Sequence, residues 1–255
     1  GTVRDPNVRC RLVAQEFARG EVRDDLFAGT PPLFALKLLC SDFATDYNAD
    51  DPKCIMVIDV KAAFLYGKTK RDIYIELPPQ DPRSASREWV GQLMKAMYGT
   101  RDAPQIWQDE LRTTLQQMGF QMCLSHPGVY VHLGLEVRAV AHVDDVMLTG
   151  PKKALQQVKA HLETSYQLKA VTLGWEADEV QEVEFLGRQI RLTKTGLEYE
   201  SGRKHVKELL QSWSLTEAKG VCSPGVNGVR DEEEDLEKLM SNEAATRYRR
   251  CAAIL

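Results

Sequence analysis

The chain has 255 residues, 43% hydrophobic and 27% charged, with a formal net charge of −4; this ordinary globular composition excludes collagen-like, coiled-coil and disordered classes. No apolar run approaches the roughly 20 residues of a membrane helix, and the opening GTVRDPNVRC lacks the apolar h-region of a signal peptide. The charge sign argues mildly against a dedicated nucleic-acid binder, but it is uneven: Asp231–Glu237 holds six acids in seven positions, whereas the first 230 residues carry 29 basic against 30 acidic groups.

In chain order, a first helix opens at Thr30 as N-cap, with Pro31 in its first turn and Leu36, Leu39, Cys40 and Phe43 on one face. Cys54–Asp59 is a short, continuous, β-branched apolar run ending in an acid, the pattern of a buried strand. Asp72–Leu77 alternates and stops at Pro78-Pro79, a second strand. Residues 80–88 read as loop. Ala103–Met118 is a helix with Pro104 near its start, a stripe of Trp107, Leu111, Leu115 and Met118, and Gly119 as its stop. Val129–Leu133 turns at Gly134 into Leu135–His142, and after Asp144-Asp145 the run Val146–Leu148 ends at Gly150. A third helix carries Leu155, Val158, Leu162 and Tyr166 on one face; Glu182–Leu192 is a further strand, and His205–Trp213 begins a helical tail. A turn-rich linker (221–230) and the acidic run follow, and the ending RYRRCAAIL reads as an amphipathic helix that breaks off. Both ends read as cut edges of a longer polypeptide. The order α-β-β-α-β-β-β-α-β-α lacks the alternation of a doubly wound sheet and predicts an α+β fold, an antiparallel sheet covered on one face by helices. Six cysteines, at 10, 40, 54, 123, 222 and 251, form no CxxC or Cys–His zinc pattern and read as reduced core thiols of an intracellular protein.

Three acids stand out. Asp59 ends an apolar strand, and Asp144-Asp145 lies between two apolar β-rich segments, as at the tip of a tight hairpin. An Asp-Asp step by itself is equally a turn. Carboxylates gathered at strand ends are costly unless a cation neutralises them. If the two strands are neighbours, such hard oxygen ligands suit Mg²⁺ with substrate phosphates completing the shell, and two ions roughly 3.5–4 Å apart serve in-line displacement at phosphorus. Phe64, five residues after Asp59, is either core or the floor beneath a nucleotide sugar. Gly99, ahead of the second helix, permits close backbone approach, with Lys95 and Arg101 as phosphate partners or simply parts of a loop-to-helix connection.

Six blocks, in order, resemble the reverse transcriptase of copia-type LTR retrotransposon Pol polyproteins. Arg9–Phe17 (RCRLVAQEF) resembles K-A-R-L-V-A-x-G-F, Asp59–Gly67 (DVKAAFLYG) resembles D-V-K-x-A-F-L-x-G, and Ile73–Pro79 (IYIELPP) resembles I-Y-M-x-x-P-P. Leu93–Gly99 (LMKAMYG) with Ala103-Pro104 and Trp107 resembles L-x-K-x-L-Y-G-L-K-Q-A-P-R-x-W. His142–Asp145 (HVDD) resembles Y-V-D-D, and Phe185–Gly187 resembles F-L-G. The chain departs from the pattern at Glu16 (family Gly), at Thr100-Arg101-Asp102 (family L-K-Q), at His142 (family aromatic), loosely at 24–32, and at 174–182, which look inserted.

The resemblance implies a right-hand polymerase palm with fingers and a partial thumb: residues 1–50 and 71–102 as fingers, 51–70 and 103–192 as palm, and 193–255 as partial thumb with a mobile acidic tail. It implies Asp59, Asp144 and Asp145 as catalytic and metal-binding carboxylates for two Mg²⁺ ions, with Mn²⁺ as an alternative. Phe64 becomes the steric gate against a ribose 2′-hydroxyl, Tyr98 and Gly99 line the nucleotide pocket, Arg9 and Arg11 contact the triphosphate, and Gly187 lies in the strand that grips the primer end. The expected partners are an RNA or DNA template-primer and dNTP, with integrase and RNase H elsewhere in the full polyprotein and no membrane; the expected compartment is a cytoplasmic particle or the nucleus. Two competing readings are a truncated, inactive retroelement relic and a metal-dependent phosphohydrolase or nuclease built on the same acids.

Overall fold

The computed structural model describes residues 12–17, 26, 28–45, 50–86, 88–201, 203–220 and 241–252. Arg9, Arg11, the 221–230 linker and the acidic run lie outside the described residues. The elements in chain order are α1 (Leu33–Ala44), β1 (Lys53–Val60), β2 (Tyr74–Glu76), β3 (Val90–Gln92), α2 (Ala103–Gln117), β4 (Gln121–Met122), β5 (Val129–His132), β6 (Val137–His142), β7 (Asp145–Pro151), α3 (Lys152–Ser165), β8 (Leu168–Leu173), β9 (Glu182–Phe185), β10 (Arg188–Thr193), β11 (Gly196–Ser201), α4 (Arg203–Ser212) and α5 (Asn242–Ala252). Short 3₁₀ turns occupy Ala63–Tyr66 and Pro82–Ser86. The chain divides into two compact units, Gly1–Tyr199 and Glu200–Leu255.

The first unit is α+β. Its main sheet has six strands in the order β4-β5-β6-β7-β1-β8, and its described pairings are antiparallel. The alternation of side chains along a strand decides what lies on each face. Met56, Ile58 and Val60 of β1 and Val146 and Leu148 of β7 face one way and join Trp107, Leu111 and Leu115 of α2 and Leu155, Val158 and Leu162 of α3 in one core. Ile55 of β1, Val140 of β6 and Met147 of β7 face the other way, against Leu36, Leu39 and Phe43 of α1 and Phe185 and Ile190 of the small sheet β11-β10-β9. Burying each such large aliphatic side chain contributes about 1.5–3 kcal/mol. The sheet is therefore covered on both faces rather than one, and this is why Cys54–Ile58 is an unbroken apolar run.

Other expectations are corrected. The first helix begins at Leu33, not after a Thr30 cap, and Pro32 precedes it with an extended ψ of 147° and no side-chain cap bond. A residue before proline is pushed out of the helical region, so the Pro31-Pro32 pair keeps Thr30 and Pro31 out of the first turn. Glu182–Leu192 is not one strand but a hairpin, β9 folding back on β10 through Leu186 and Gly187, both at positive φ (48° and 69°). The short strands β3 and β4 and the longer β8 and β11 were not expected, Asp72–Leu77 shrinks to β2, and the 80–88 loop contains a 3₁₀ turn. The segment resembling an insertion, 174–182, is stapled down: Lys152 pairs with Glu176 and, at 3.0 Å, with the buried Glu179, whose Oε1 also accepts from Cys54 Sγ at 3.2 Å. Burial, reinforced by Glu179, pushes the Cys54 thiol up to about 12.

In the second unit, α4 and α5 are joined by side chains. The Trp213 indole N–H donates to Cys251 Sγ (3.1 Å), Arg247 lies 4.7 Å above the Trp213 ring, and Arg250 pairs with Glu208 at 2.9 Å. Among the described residues no helix is long and apolar enough to cross a membrane.

Candidate active site

β1 lies between β7 and β8, and β7 between β1 and β6. In these ladders Asp59 is directly opposite Asp145, Asp145 opposite His142, and Asp59 opposite Lys169. Directly opposed residues in an antiparallel pair project from the same face, with Cβ atoms about 4.5–5.5 Å apart. His142, Asp145, Asp59 and Lys169 thus form one row across four strands, on the α1 face of the sheet. Along that face of β1, Ile55 is buried, Val57 half-buried and Asp59 exposed. The row stands where the apolar cover ends, open to solvent at one side and to a low-dielectric core at the other.

Asp144 sits beside the row at the tip of the β6–β7 hairpin, half-buried, with its main-chain carbonyl accepting from Val60 N at 2.9 Å. Val143, before it, has a left-handed φ of 54°, a region costly for a β-branched residue. The buried Trp107 of α2 holds this tip, its Nε1–H donating to the Val143 carbonyl at 2.5 Å. In the sequence Trp107 is legible as part of an apolar stripe and of the fourth resembling block, but not as the donor that holds this hairpin.

The three acids interact electrostatically. Burial raises the Asp145 carboxyl above the ordinary carboxylate range, and the charges of Asp144 and Asp59 push it the same way, against the opposing pull of His142. Among the described residues no hydrogen bond or ion pair reaches the side chains of Asp59, Asp144 or Asp145. Clustered hard oxygens without internal neutralisation are the donor set that a divalent cation satisfies, so the residues fit such an ion. Among the described residues, the acids whose ligand atoms all fall within 4.8 Å of one another are instead Glu176, Asp178 and Glu179. Lys152 pairs with all three acids of that group, whereas among the described residues no cation pairs with the hairpin acids, which form a wider and more open set.

After Asp59 the chain turns through Ala62, at a φ of 53°, into the Ala63–Tyr66 turn. Lys61 N donates to Gln167 O (2.9 Å) and Gln167 N to the Tyr66 hydroxyl (2.8 Å), which fastens this turn to the start of β8 and so fixes Lys169 relative to Asp59. Phe64 is half-buried on Ala96, Ala103 and Ile106, and its ring centroid lies 4.7 Å from that of Tyr98. Phe64 is thus both packed and part of a wall. Gly99, at φ 92°, backs onto the segment 12–17: a Cβ there would stand 1.9 Å from the Ala14 carbonyl oxygen, and Ala14 N donates to Tyr98 O at 2.8 Å. A cavity of about 620 Å³ opens beside this wall, lined by Leu12, Ala62, Leu65, Lys95, Met97 and Tyr98 among others. Lys95 Nζ donates to the Tyr66 carbonyl at 2.6 Å, so its charge serves the turn, and the Arg101 amide donates to Glu16.

Asp59, Asp144 and Asp145 are therefore brought together, and Phe64, Tyr98 and Gly99 meet one another beside the turn that follows Asp59. Gly187, expected in a strand, occupies instead the β9–β10 turn of the small sheet, and a Cβ there meets nothing within 4 Å. Sequence reasoning missed Lys169, because it missed β8. The alternation of Leu168–Leu173 was the available signal.

The family described as "Reverse transcriptase (RNA-dependent DNA polymerase)" matches residues 2–227. The chain is 31% identical over 173 residues to the retrovirus-related Pol polyprotein from transposon RE1 of Arabidopsis thaliana, covering 67% of this chain and 11% of the relative. It is 25% identical over 224 residues to that from transposon TNT 1-94 of Nicotiana tabacum, covering 85% of this chain and 16% of the relative. The chain thus spans between a tenth and a sixth of these relatives' length. Among solved structures, the apo telomerase of Candida tropicalis truncated from its C-terminal domain aligns over 68% of this chain and 41% of that chain, at 10% identity and a TM-score of 0.41.

Proposed function

From a chain that belongs to the reverse transcriptase (RNA-dependent DNA polymerase) family, we propose an RNA-directed DNA polymerase segment of a retrotransposon Pol polyprotein, in which a primer 3′-hydroxyl attacks the α-phosphorus of a dNTP and pyrophosphate leaves. The observation that carries this reading is the row of His142, Asp145, Asp59 and Lys169 with Asp144 beside it, at the rim of a sheet otherwise covered on both faces.

In this reading Asp59 and Asp144, with Asp145 as their partner, hold two Mg²⁺ ions, which when bound supply Lewis-acid activation of the primer hydroxyl and charge neutralisation at phosphorus. The protein's own contribution is position and charge. The β1–β7 register holds Asp59 and Asp145 side by side, and Trp107 fixes the hairpin that carries Asp144. Lys169 adds a cation on the same face, suited to the negative charge of a triphosphate. The Phe64–Tyr98 pair, its ring planes tilted by 41°, forms an aromatic wall beside the turn that follows the first acid, suited to pack against a deoxyribose and to exclude a 2′-hydroxyl. A hydrolase needs no such wall, which favours the polymerase over the nuclease reading. Template pairing supplies sequence; residues 51–70 and 103–192 act as palm, 1–50 and 71–102 as fingers and 193–255 as partial thumb. A template-primer and the other Pol segments are the partners this assignment entails.

The test is primer extension. With Mg²⁺, oligo(dT)-primed poly(rA) and dTTP, the wild-type chain extends the primer and Asp144→Asn does not. Equal extension by the two proteins refutes the assignment.

A further inference from the structure

Arg71 sits between two acids from different segments. Its Nη2 donates to Glu16 Oε2 at 2.6 Å and its Nε to Asp102 Oδ2 at 2.8 Å. Glu16 Oε2 also accepts from the Arg101 amide at 2.8 Å. The Asp102 side chain is 9% exposed, those of Glu16 and Arg71 27% and 30%. Three stretches that are remote in sequence, at 12–17, 71 and 101–102, therefore meet at one guanidinium. Asp102 precedes α2 without capping it; its carboxylate is committed to Arg71 instead. Both acids stand where the chain departs from the copia-type pattern, which has Gly and Gln there.

The knot lies beside the cavity wall. Two residues before Glu16, Ala14 N bonds Tyr98 O, and two residues before that, Leu12 lines the same cavity as Tyr98. Gly99 admits the Ala14 carbonyl so closely that no side chain fits between. The segment 12–17 has no regular hydrogen-bonded structure of its own, and it carries exposed apolar side chains, Leu12 at 62% and Phe17 at 76%. Charge-assisted bonds to an arginine are the strongest polar fasteners available to such a segment.

We infer that Glu16 and Arg71 are positioning residues that clamp the segment 12–17 onto the Tyr98–Gly99 wall and thereby set the shape of the nucleotide cavity. The inference rests on the polymerase reading. Neither residue touches the acids of the row, so the clamp governs how well a dNTP is held rather than how fast a held one reacts. Burial pushes both the Glu16 and Asp102 carboxyls up, but Arg71 outweighs it and both settle below their ordinary values, consistent with a clamp closed at neutral pH.

Steady-state extension of primed poly(rA) by the full chain, with dTTP varied, tests this. Glu16→Gln raises KM for dTTP about ten-fold and leaves kcat within about three-fold, because positioning rather than chemistry is lost. Arg71→Gln does the same, and the double variant is no worse than Arg71→Gln alone, since both changes break one network. Arg71→Lys, which keeps the charge but not the fork, falls between. Hydrogen exchange at the Ala14 amide quickens in Glu16→Gln. If the wild type is active while Glu16→Gln keeps wild-type KM, or loses kcat with KM unchanged, the clamp is overturned alone. A wild type inert toward primer and dTTP overturns the polymerase reading, and the clamp with it.

Discussion

Replacing Trp107 by Phe isolates the contribution of one indole N–H to the hairpin. Trp107 is 1% exposed, and its Nε1 donates to the carbonyl of Val143, the residue held at a φ of 54°. Phenylalanine keeps the ring contacts to Tyr66 and Tyr166 in kind but removes the donor. The lost neutral hydrogen bond costs about 1 kcal/mol. The smaller ring leaves roughly 40 Å³, which at ~24 cal/mol per Å³ is about another 1 kcal/mol. The stability loss is thus about 2 kcal/mol, readable as a lower urea midpoint at unchanged slope by far-ultraviolet circular dichroism. A functional loss of similar size is separate from the fold loss. Asp144 follows Val143 directly, and a displacement of about 1 Å in a reacting group costs about 10²-fold in rate. We expect kcat for dTTP incorporation to fall about 10- to 100-fold, with KM within about three-fold. Leu115→Ala provides the control. Leu115 is fully buried in the same helix and its truncation costs about 2–5 kcal/mol, yet it leaves the donor in place, so kcat per folded molecule is unchanged. A Trp107→Phe enzyme with kcat within about two-fold of wild type, or a Leu115→Ala enzyme that loses as much, refutes the reasoning.

Val143→Asn relieves a β-branched residue of its left-handed backbone and raises stability by about 1 kcal/mol in the same urea assay; destabilisation contradicts the strain. Phe64→Ala opens the wall beside Tyr98, and the preference for dTTP over UTP in single-nucleotide extension falls about ten-fold or more if Phe64 abuts the sugar; an unchanged ratio removes it from that role. Asp145 has a raised value in the fold, so the native chain holds its proton to higher pH than the unfolded chain does. Its contribution to stability is therefore present at low pH and lost as pH rises from the ordinary 3.8 through the raised folded value. Asp145→Asn accordingly raises the Tm measured at neutral pH without metal, and Mg²⁺ raises the Tm of the wild type more than that of the variant; equal Mg²⁺ shifts refute the shared site. Glu16 and Asp102 carry the opposite sign: their lowered values make the clamp's contribution fade as pH falls below the ordinary 4.5 and 3.8, so the protection of the Ala14 amide, relative to its intrinsic exchange rate at each pH, falls on acidification in the wild type more than in Glu16→Gln.

Much of the site was legible because its chemistry is tied to strand pattern. The apolar run into Asp59 and the Asp144-Asp145 step between two β-rich segments are local signals, and the antiparallel ladder that unites them follows from short connections. What could not be read was direction and partnership. Trp107 enters the helical periodicity as one more apolar residue, since periodicity records burial and is blind to where an N–H points. Lys169 was hidden because β8 is a half-buried edge strand with a charged residue in it, which resembles a loop. The β9–β10 turn was hidden because Leu186 is not a turn former, although Gly187 within a strand pattern signals an interruption. The cover of the second sheet face was overlooked for a different reason: the small sheet that provides part of it comes late in the sequence, and long-range packing leaves little local trace. Glu16 and Asp102 looked like two unrelated departures until Arg71 joined them.

The row of opposed residues ties the placement of Asp59 to strand alignment. Asp59 reaches the uncovered rim of the α1 face only because every second residue before it, from the buried Ile55 onward, points to that same face. A single-residue insertion or deletion between positions 54 and 58 would move the acid beneath the two helices, among Trp107 and Leu155, where an ionised carboxylate is not tolerated. Such a lesion is felt first as lost stability, unlike a substitution of the acid itself, which leaves the register intact. The strand thus constrains the length of the segment before Asp59 more strictly than the identity of the acid at its end.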